Sequence, residues 1–274
     1  MNKIFILCTV IVVAAYAAPD STSDLTDSVT TTAEAATTTS APLNPTSTEK
    51  PALNTSDQDT VEDRTRLAAN LFKDYDKNIN PDGVKLQFGV VLVDFHVLEE
   101  KDAIESRVWL RYIWKDSRLQ WNAEEYGGAS VLRMDSDMIW KPDITLYNSL
   151  DSNMMVCWHS NVLIFPSGEV LWVPPCKLIS CCHLTLKKHP YGEQVCRLKF
   201  GSWTFDGNVL DLDFYKGKKT MDLSDLSNTS GFEILSNKAE KTDKFYPCCK
   251  DPYPDLTFNL TIKRLPGEEL FEKL

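Results

Sequence analysis

Two stretches of strict alternation constrain this chain more than anything else in it. Val108, Leu110, Tyr112 and Trp114 alternate with Trp109, Arg111 and Ile113. Leu256, Phe258, Leu260 and Ile262 alternate with Thr257, Asn259, Thr261 and Lys263. A period of two puts each set on its own strand face, so both stretches read as half-buried strands. Turn signals such as Pro166-Ser167-Gly168 and Asp206-Gly207-Asn208 punctuate short strands as far as Arg264. Ahead of them Leu67, Leu71 and Tyr75 recur every four residues, which reads as a one-sided helix ended by Pro81-Asp82-Gly83. One helix followed by about 180 residues of β pattern predicts an all-β fold, an immunoglobulin-like antiparallel β-sandwich with an N-terminal α-helix.

The segments before the helix belong to a different class. Residues 1–17 read as a secretory signal: Lys3 gives a positive start, Ile4 to Ala15 are mostly apolar, and Ala15-Tyr16-Ala17 offers a cleavage site. Residues 18–61 are rich in Ser, Thr, Ala and Pro and nearly free of aromatic side chains. Such a segment buries too little apolar area to offset its chain entropy, and a disordered, O-glycosylated arm acting as a spacer is expected. The folded domain is expected over 62–265 and a short tail over 266–274. Seven acids against one base place six of the net ten negative charges on the arm. The acidic balance excludes a nucleic-acid partner, which needs a basic face to neutralise phosphates. No apolar run beyond the first twenty residues approaches the ~18 needed to cross a bilayer. No membrane insertion is therefore expected, and the mature protein reads as secreted and extracellular.

Cysteine usage fits that compartment. Removing the signal takes Cys8 and leaves Cys157, Cys176, Cys181, Cys182, Cys196, Cys248 and Cys249, most of which should pair in an oxidising environment. Spacing alone does not fix connectivity, and an odd number leaves at least one cysteine unpaired inside the chain. One pairing follows from a turn. Cys157 and Cys176 stand nine residues on either side of Pro166-Ser167, so a hairpin centred there sets them opposite each other and predicts a cross-strand disulfide. Cys181 is then left over, as a thiol or for a bridge to another chain. Asn54, Asn228 and Asn259 open N-x-S/T sequons and are candidate glycosylation sites, Asn259 on the polar face of its strand.

Cys182 and Cys196 enclose thirteen residues. Around that loop stand, in order, Trp121-Asn122, Ile139-Trp140-Lys141-Pro142-Asp143-Ile144, Leu146-Tyr147-Asn148-Ser149, Lys199-Phe200-Gly201-Ser202-Trp203 and Phe245-Tyr246-Pro247-Cys248-Cys249-Lys250-Asp251-Pro252-Tyr253. This series resembles the extracellular ligand-binding domain of Cys-loop pentameric receptors, and within them nicotinic acetylcholine receptor α subunits, over about residues 62–264. After Lys263-Arg264 a receptor would enter its first membrane helix, whereas this sequence continues with Pro266-Gly267-Glu268-Glu269. The resemblance therefore implies a soluble acetylcholine-binding protein rather than a channel. It also implies disulfides Cys182–Cys196 and Cys248–Cys249. The latter is a vicinal pair that closes no chain loop but stiffens a hairpin tip.

The resemblance assigns roles to particular side chains. Tyr147, Trp203, Tyr246 and Tyr253, with Cys248 and Cys249, match the principal face that encloses acetylcholine or a related cationic amine. Trp109, Leu163, Leu171 and Val173 match the complementary face of a neighbouring subunit. A quaternary ammonium donates no hydrogen bond, so its charge is best met by the negative faces of aromatic rings, each contributing roughly 0.5–2 kcal/mol. Any one of these aromatics alone would more often be core. Trp114, Trp121 and Trp140 are assigned to core or scaffold. Trp109 lies on the opposite strand face from Trp114, so one of the two must point away from the core, and a subunit interface would cover it. A chain carrying both half-sites can repeat head to tail into a ring, and a homopentamer is expected.

The chain departs from the receptors at the tip of the loop, where F-P-F-D is replaced by His189-Pro190-Tyr191-Gly192 after Lys187 and Lys188. An enzyme is disfavoured. His96, His159, His183 and His189 show no H-E-x-x-H spacing, there is no nucleophile-elbow glycine pattern, and Cys181-Cys182-His183 lacks a second cluster to complete a zinc site. No catalytic residue, metal or cofactor is expected. The competing reading is an accessory secreted subunit, or a member of mixed rings, that does not itself bind cholinergic ligands. Loss of a cage aromatic would favour it, and none is lost.

Overall fold

The computed structural model describes residues 59–184, 192–227, 229, 231–247 and 249–265. The signal, nearly all of the arm, Asn54, Asn228, Cys248, His189 to Tyr191 and the tail fall outside these residues.

Thr60 caps α1 (Val61–Phe72), the one α-helix among the described residues. Its hydroxyl accepts from the Asp63 backbone N–H, and the Asp63 side chain accepts from the Thr60 N–H. This reciprocal cap is worth about 1 kcal/mol and holds the Asp63 carboxyl below the ordinary carboxylate range. Leu67 is buried; Ala68, Leu71 and Phe72 pack partly against the core. The helix stops at Phe72, well before Pro81, so Tyr75 is not helical. Asp76 accepts from the Asn78 N–H at 2.8 Å, a local bond that competes with helical continuation. Tyr75 still reaches inward. Its hydroxyl donates to Asp116 at 2.9 Å and accepts from the Trp140 backbone N–H at 3.0 Å.

Twelve strands follow among the described residues: β1 (Val84–Leu98), β2 (Ala103–Gln120), β3 (Leu132–Asp135), β4 (Ile144–Leu146), β5 (Val156–Cys157), β6 (Asn161–Ile164), β7 (Ser167–Trp172), β8 (Pro175–Leu184), β9 (Glu193–Ser202), β10 (Leu210–Phe214), β11 (Phe232–Lys244) and β12 (Tyr253–Arg264). The expected sandwich is formed. One sheet holds β1, β2, β3, β5, β6, β7 and β10, the other β4, β9, β11 and β12. β8 belongs to both: Pro175 to Cys181 pair with β2, and Cys182 to Leu184 pair with β9. Cys182 and Cys196 face each other where β8 changes sheets, and a disulfide joins them. Among the described strands the pairings are antiparallel except β1 with β10, which run parallel from Val84 opposite Leu210.

The core is aromatic where the sheets meet. Phe88 packs 5.0 Å from Tyr112 and 4.9 Å from Phe200, and Phe258 lies 6.1 Å from Phe200, ring centre to ring centre. β2 follows its alternation closely, with Val108, Leu110, Tyr112 and Trp114 all buried. On β12, Leu256, Phe258, Leu260 and Ile262 are buried, and Asn259 lies half-buried on the other face.

The hairpin between β6 and β7 is centred half a residue later than its sequence suggests, which moves the pairing register by one. Leu163 faces Leu171 and Ile164 faces Val170, so Ser167 is the pivot. Gly168 follows at φ +78°, where a Cβ would stand 2.5 Å from the Asp116 carbonyl oxygen, a position open only to glycine. That register does not set Cys157 against Cys176. They meet because β5 forms a separate short ladder on β8, in which Cys157 faces Cys176 and a disulfide joins them. The change of register lies between the two ladders, as a bulge permits.

Candidate functional site

The Ile139-to-Asp143 stretch works as a bracket. Trp140 is buried edge-on to Trp114 at 6.3 Å, which anchors the segment in the core. Asp143 then reaches the end of β9: one carboxylate oxygen accepts from the Ser202 hydroxyl at 2.5 Å and the other from the Thr204 backbone N–H at 2.7 Å. Between these two residues sits Trp203, 53 % exposed. Its indole is thus presented to solvent by a backbone held on both sides.

Tyr147 follows β4, whose Leu146 faces Phe200 and whose Thr145 faces Gly201 on β9. The Tyr147 ring stands edge-on to Trp203 at 6.2 Å, and its hydroxyl donates to the Ser202 carbonyl oxygen. Burial raises its pKa, and the neighbouring Tyr246, Asp255, Asp143 and Tyr253 raise it further, so the phenol stays neutral and keeps its donor. Tyr246 and Tyr253 flank the tip between β11 and β12 and meet edge-on at 5.7 Å. The Cys249 N–H donates to the Tyr246 carbonyl at 3.0 Å, and Cys249 is disulfide-bonded. The Pro252 carbonyl accepts from the Gly207 N–H at 2.8 Å, tying the hairpin base to the loop beyond Trp203. Beneath lies Asp255, its side chain almost wholly buried and ion-paired to Lys199 at 2.8 Å. Four aromatic side chains from three chain segments are thus gathered at one end of the second sheet, and Lys244 lays its ammonium 4.9 Å over the Tyr246 ring.

Trp109, Leu163, Leu171 and Val173 lie on the first sheet instead. Trp109 is 36 % exposed on β2, opposite in face to buried Trp114. Leu163 and Leu171 face each other across the β6–β7 ladder, half-buried, while their neighbours Val162, Ile164 and Val170 fill the core. Val173 follows β7, also half-buried. A loop crosses this face: Asp222 pairs with Arg111 at 2.8 Å, and its backbone bonds to Val90 and Leu92.

Residue reading missed three features. Gly201 underlies Tyr147, Asp143 braces Trp203, and Trp158 stands 76 % exposed beside Trp109, lining the same hollow. Among the described residues, Asp135, Asp137 and His159 form the one group close enough to share a metal ion. All three are exposed, and Lys141 already pairs with Asp137 at 2.7 Å. No described helix is long and apolar enough to cross a membrane.

Comparison with known proteins agrees with this architecture. The chain is 40 % identical over 213 residues to the acetylcholine receptor subunit beta-like 1 of Drosophila melanogaster, covering 74 % of this chain and 40 % of that protein. It is 37 % identical over 215 residues to the acetylcholine receptor subunit alpha-L1 of Schistocerca gregaria, covering 74 % of this chain and 39 % of the relative. It therefore spans about two-fifths of the length of the curated relatives it matches. Among solved structures, the Capitella teleta AChBP in complex with lobeline shares the fold with a TM-score of 0.66 at 24 % identity, covering 75 % of this chain and 99 % of that one. Residues 64–266 match the model of the neurotransmitter-gated ion-channel ligand binding domain, and the chain belongs to that family.

Proposed function

We propose that this protein is a secreted acetylcholine-binding protein, taking acetylcholine and nicotine-like cationic amines in an aromatic cage between subunits, without channel or catalytic activity. The observation that carries the reading is the convergence of Tyr147, Trp203, Tyr246 and Tyr253, with Tyr147 beside Trp203 and Tyr246 beside Tyr253. Four rings at roughly 0.5–2 kcal/mol each supply enough cation–π attraction to hold a desolvated ammonium. Tyr147 spends its proton on the Ser202 carbonyl, so its ring rather than its hydroxyl faces the ligand's charge. The Cys249 tip closes over the amine from the hairpin side, with Cys248 as its vicinal partner.

Trp109, Leu163, Leu171 and Val173 supply the opposite wall from a neighbouring copy. All four are apolar or aromatic, so they offer contact area rather than hydrogen-bond selection. Because one chain carries both faces on different sheets, head-to-tail repetition completes every site, and the assembly is a homopentamer. Residues 1–17 direct secretion, and Asn54, Asn228 and Asn259 carry glycans.

Titration of the purified protein with acetylcholine and with tetramethylammonium tests the reading. Saturable binding lost in Trp203→Ala supports it. Binding unchanged in Trp203→Ala, or no binding by an assembled ring, contradicts it and favours an accessory subunit.

A further inference from the structure

A hollow of about 340 Å³ opens on the outer face of the first sheet. Its lining includes Trp109, Trp158, Val156, Pro175, Arg107 and Lys177. The register explains its shape. Trp109 faces Pro175 across β2 and β8, and the Trp158 N–H donates to the Pro175 carbonyl at 2.7 Å on the far side. Val156 faces Lys177, and the period of two puts Trp158 on the same face as Val156. Two indoles therefore flank a proline across three adjacent backbones. Two strand spacings separate their Cα atoms by about 10 Å, and the flat pyrrolidine ring forms the floor between them.

This trough is held open. Cys157, between Val156 and Trp158, is cross-linked to Cys176, so β5 cannot peel away from β8 although it is only two residues long. Trp158 is nonetheless 76 % exposed, a large apolar area left to water on a side chain with its backbone fixed.

The charges around the trough select its occupant. Arg107 and Lys177 stand at the rim, and each is paired with a carboxylate, Asp94 at 3.6 Å and Glu105 at 3.9 Å, so the rim offers a second cation no net charge to bind. What remains is an uncharged apolar slot that begins at Trp109, the residue assigned to the complementary wall of the amine cage. We infer that the Trp109–Pro175–Trp158 trough is a subsite for the uncharged alkyl tail of a quaternary amine whose head sits in the cage. The inference rests on the amine-cage reading and adds to it a preference for long-tailed over small ligands.

The test is a series of alkyltrimethylammonium ions, from tetramethyl to decyl, titrated into assembled wild-type protein, Trp158→Ala, Trp158→Phe, Trp203→Ala and the Cys157→Ser/Cys176→Ser pair. In the wild type, affinity rises by about fourfold for each methylene laid in the trough. Trp158→Ala flattens that rise and leaves tetramethylammonium affinity within twofold, Trp158→Phe keeps most of the rise, and releasing β5 by the double serine variant flattens it. Trp203→Ala weakens every member alike. Three results overturn the inference: an unaltered rise in Trp158→Ala, no binding at any chain length, or tighter binding when the tail ends in a second ammonium. Tetramethylammonium binding that survives Trp203→Ala instead overturns the cage and leaves the trough to be judged by its own chain-length slope.

Discussion

The Tyr147 ring lies directly on Gly201. A methyl group at Gly201 would stand 2.6 Å from the Tyr147 hydroxyl oxygen and 2.7 Å from Cζ, closer than carbon atoms approach. Only a residue without a side chain lets the ring settle on β9 with its hydroxyl reaching the Ser202 carbonyl. Gly201→Ala should therefore displace Tyr147 and weaken amine binding by about tenfold, or 1.4 kcal/mol. In a Tyr147→Ala background the same substitution should cost nothing further. Titration of the four proteins of this cycle checks it, with thermal unfolding to show that each is folded.

Asp143 holds Trp203 from both sides, through Ser202 and Thr204. Asp143→Ala leaves a hydroxyl and a backbone N–H without that acceptor and should destabilise the fold by about 1–3 kcal/mol. Affinity should fall along with stability. Denaturant unfolding and ligand titration on the same preparation measure both effects.

Lys244 keeps a resident cation over Tyr246. Replacing Lys244 with Ala removes the competitor for that ring and should tighten binding of tetramethylammonium by about twofold to fivefold, the range of an exposed cation–π contact. The gain should shrink as salt rises.

Asp222 fastens the loop that crosses the β2 face. Hydrogen bonds from the Ser224 hydroxyl and N–H, then Arg111, pull its pKa down to about 2. A depressed carboxylate stabilises the fold above its ordinary value, and the effect fades as pH falls from about 4 to 2. Asp222→Asn should cost about 2 kcal/mol at pH 7, and the gap to wild type should close near pH 2. Urea unfolding of both proteins across that range measures the gap.

How much of this was legible in the sequence depended on how local the cause was. Trp109 could be read as outward because alternation on β2 is enforced over eighteen residues by one buried face. Tyr75 was misread as helical because its spacing from Leu71 fits a helix, whereas the helix already ends at Phe72 and the Asp76 turn that follows keeps it from resuming. The Cys157–Cys176 bond was anticipated from a hairpin register that is one residue off; the true cause, β5 laid on β8, leaves too short a pattern to see. Trp158 escaped for the same reason. Gly201 stood in a quoted motif, but its role depends on a ring more than fifty positions away. The gathering of the four aromatics came from family resemblance, since no periodicity relates Tyr147 to Tyr246.

The most direct test of the central claim is a mixing experiment. Trp203→Ala damages the principal face and leaves Trp109 intact; Trp109→Ala does the reverse. Each variant alone should form rings that bind no acetylcholine by calorimetry. Rings co-assembled from both should regain binding, because some interfaces then join an intact Trp203 to an intact Trp109. Mixed rings that stay silent, or either variant binding fully by itself, would contradict a site shared between subunits.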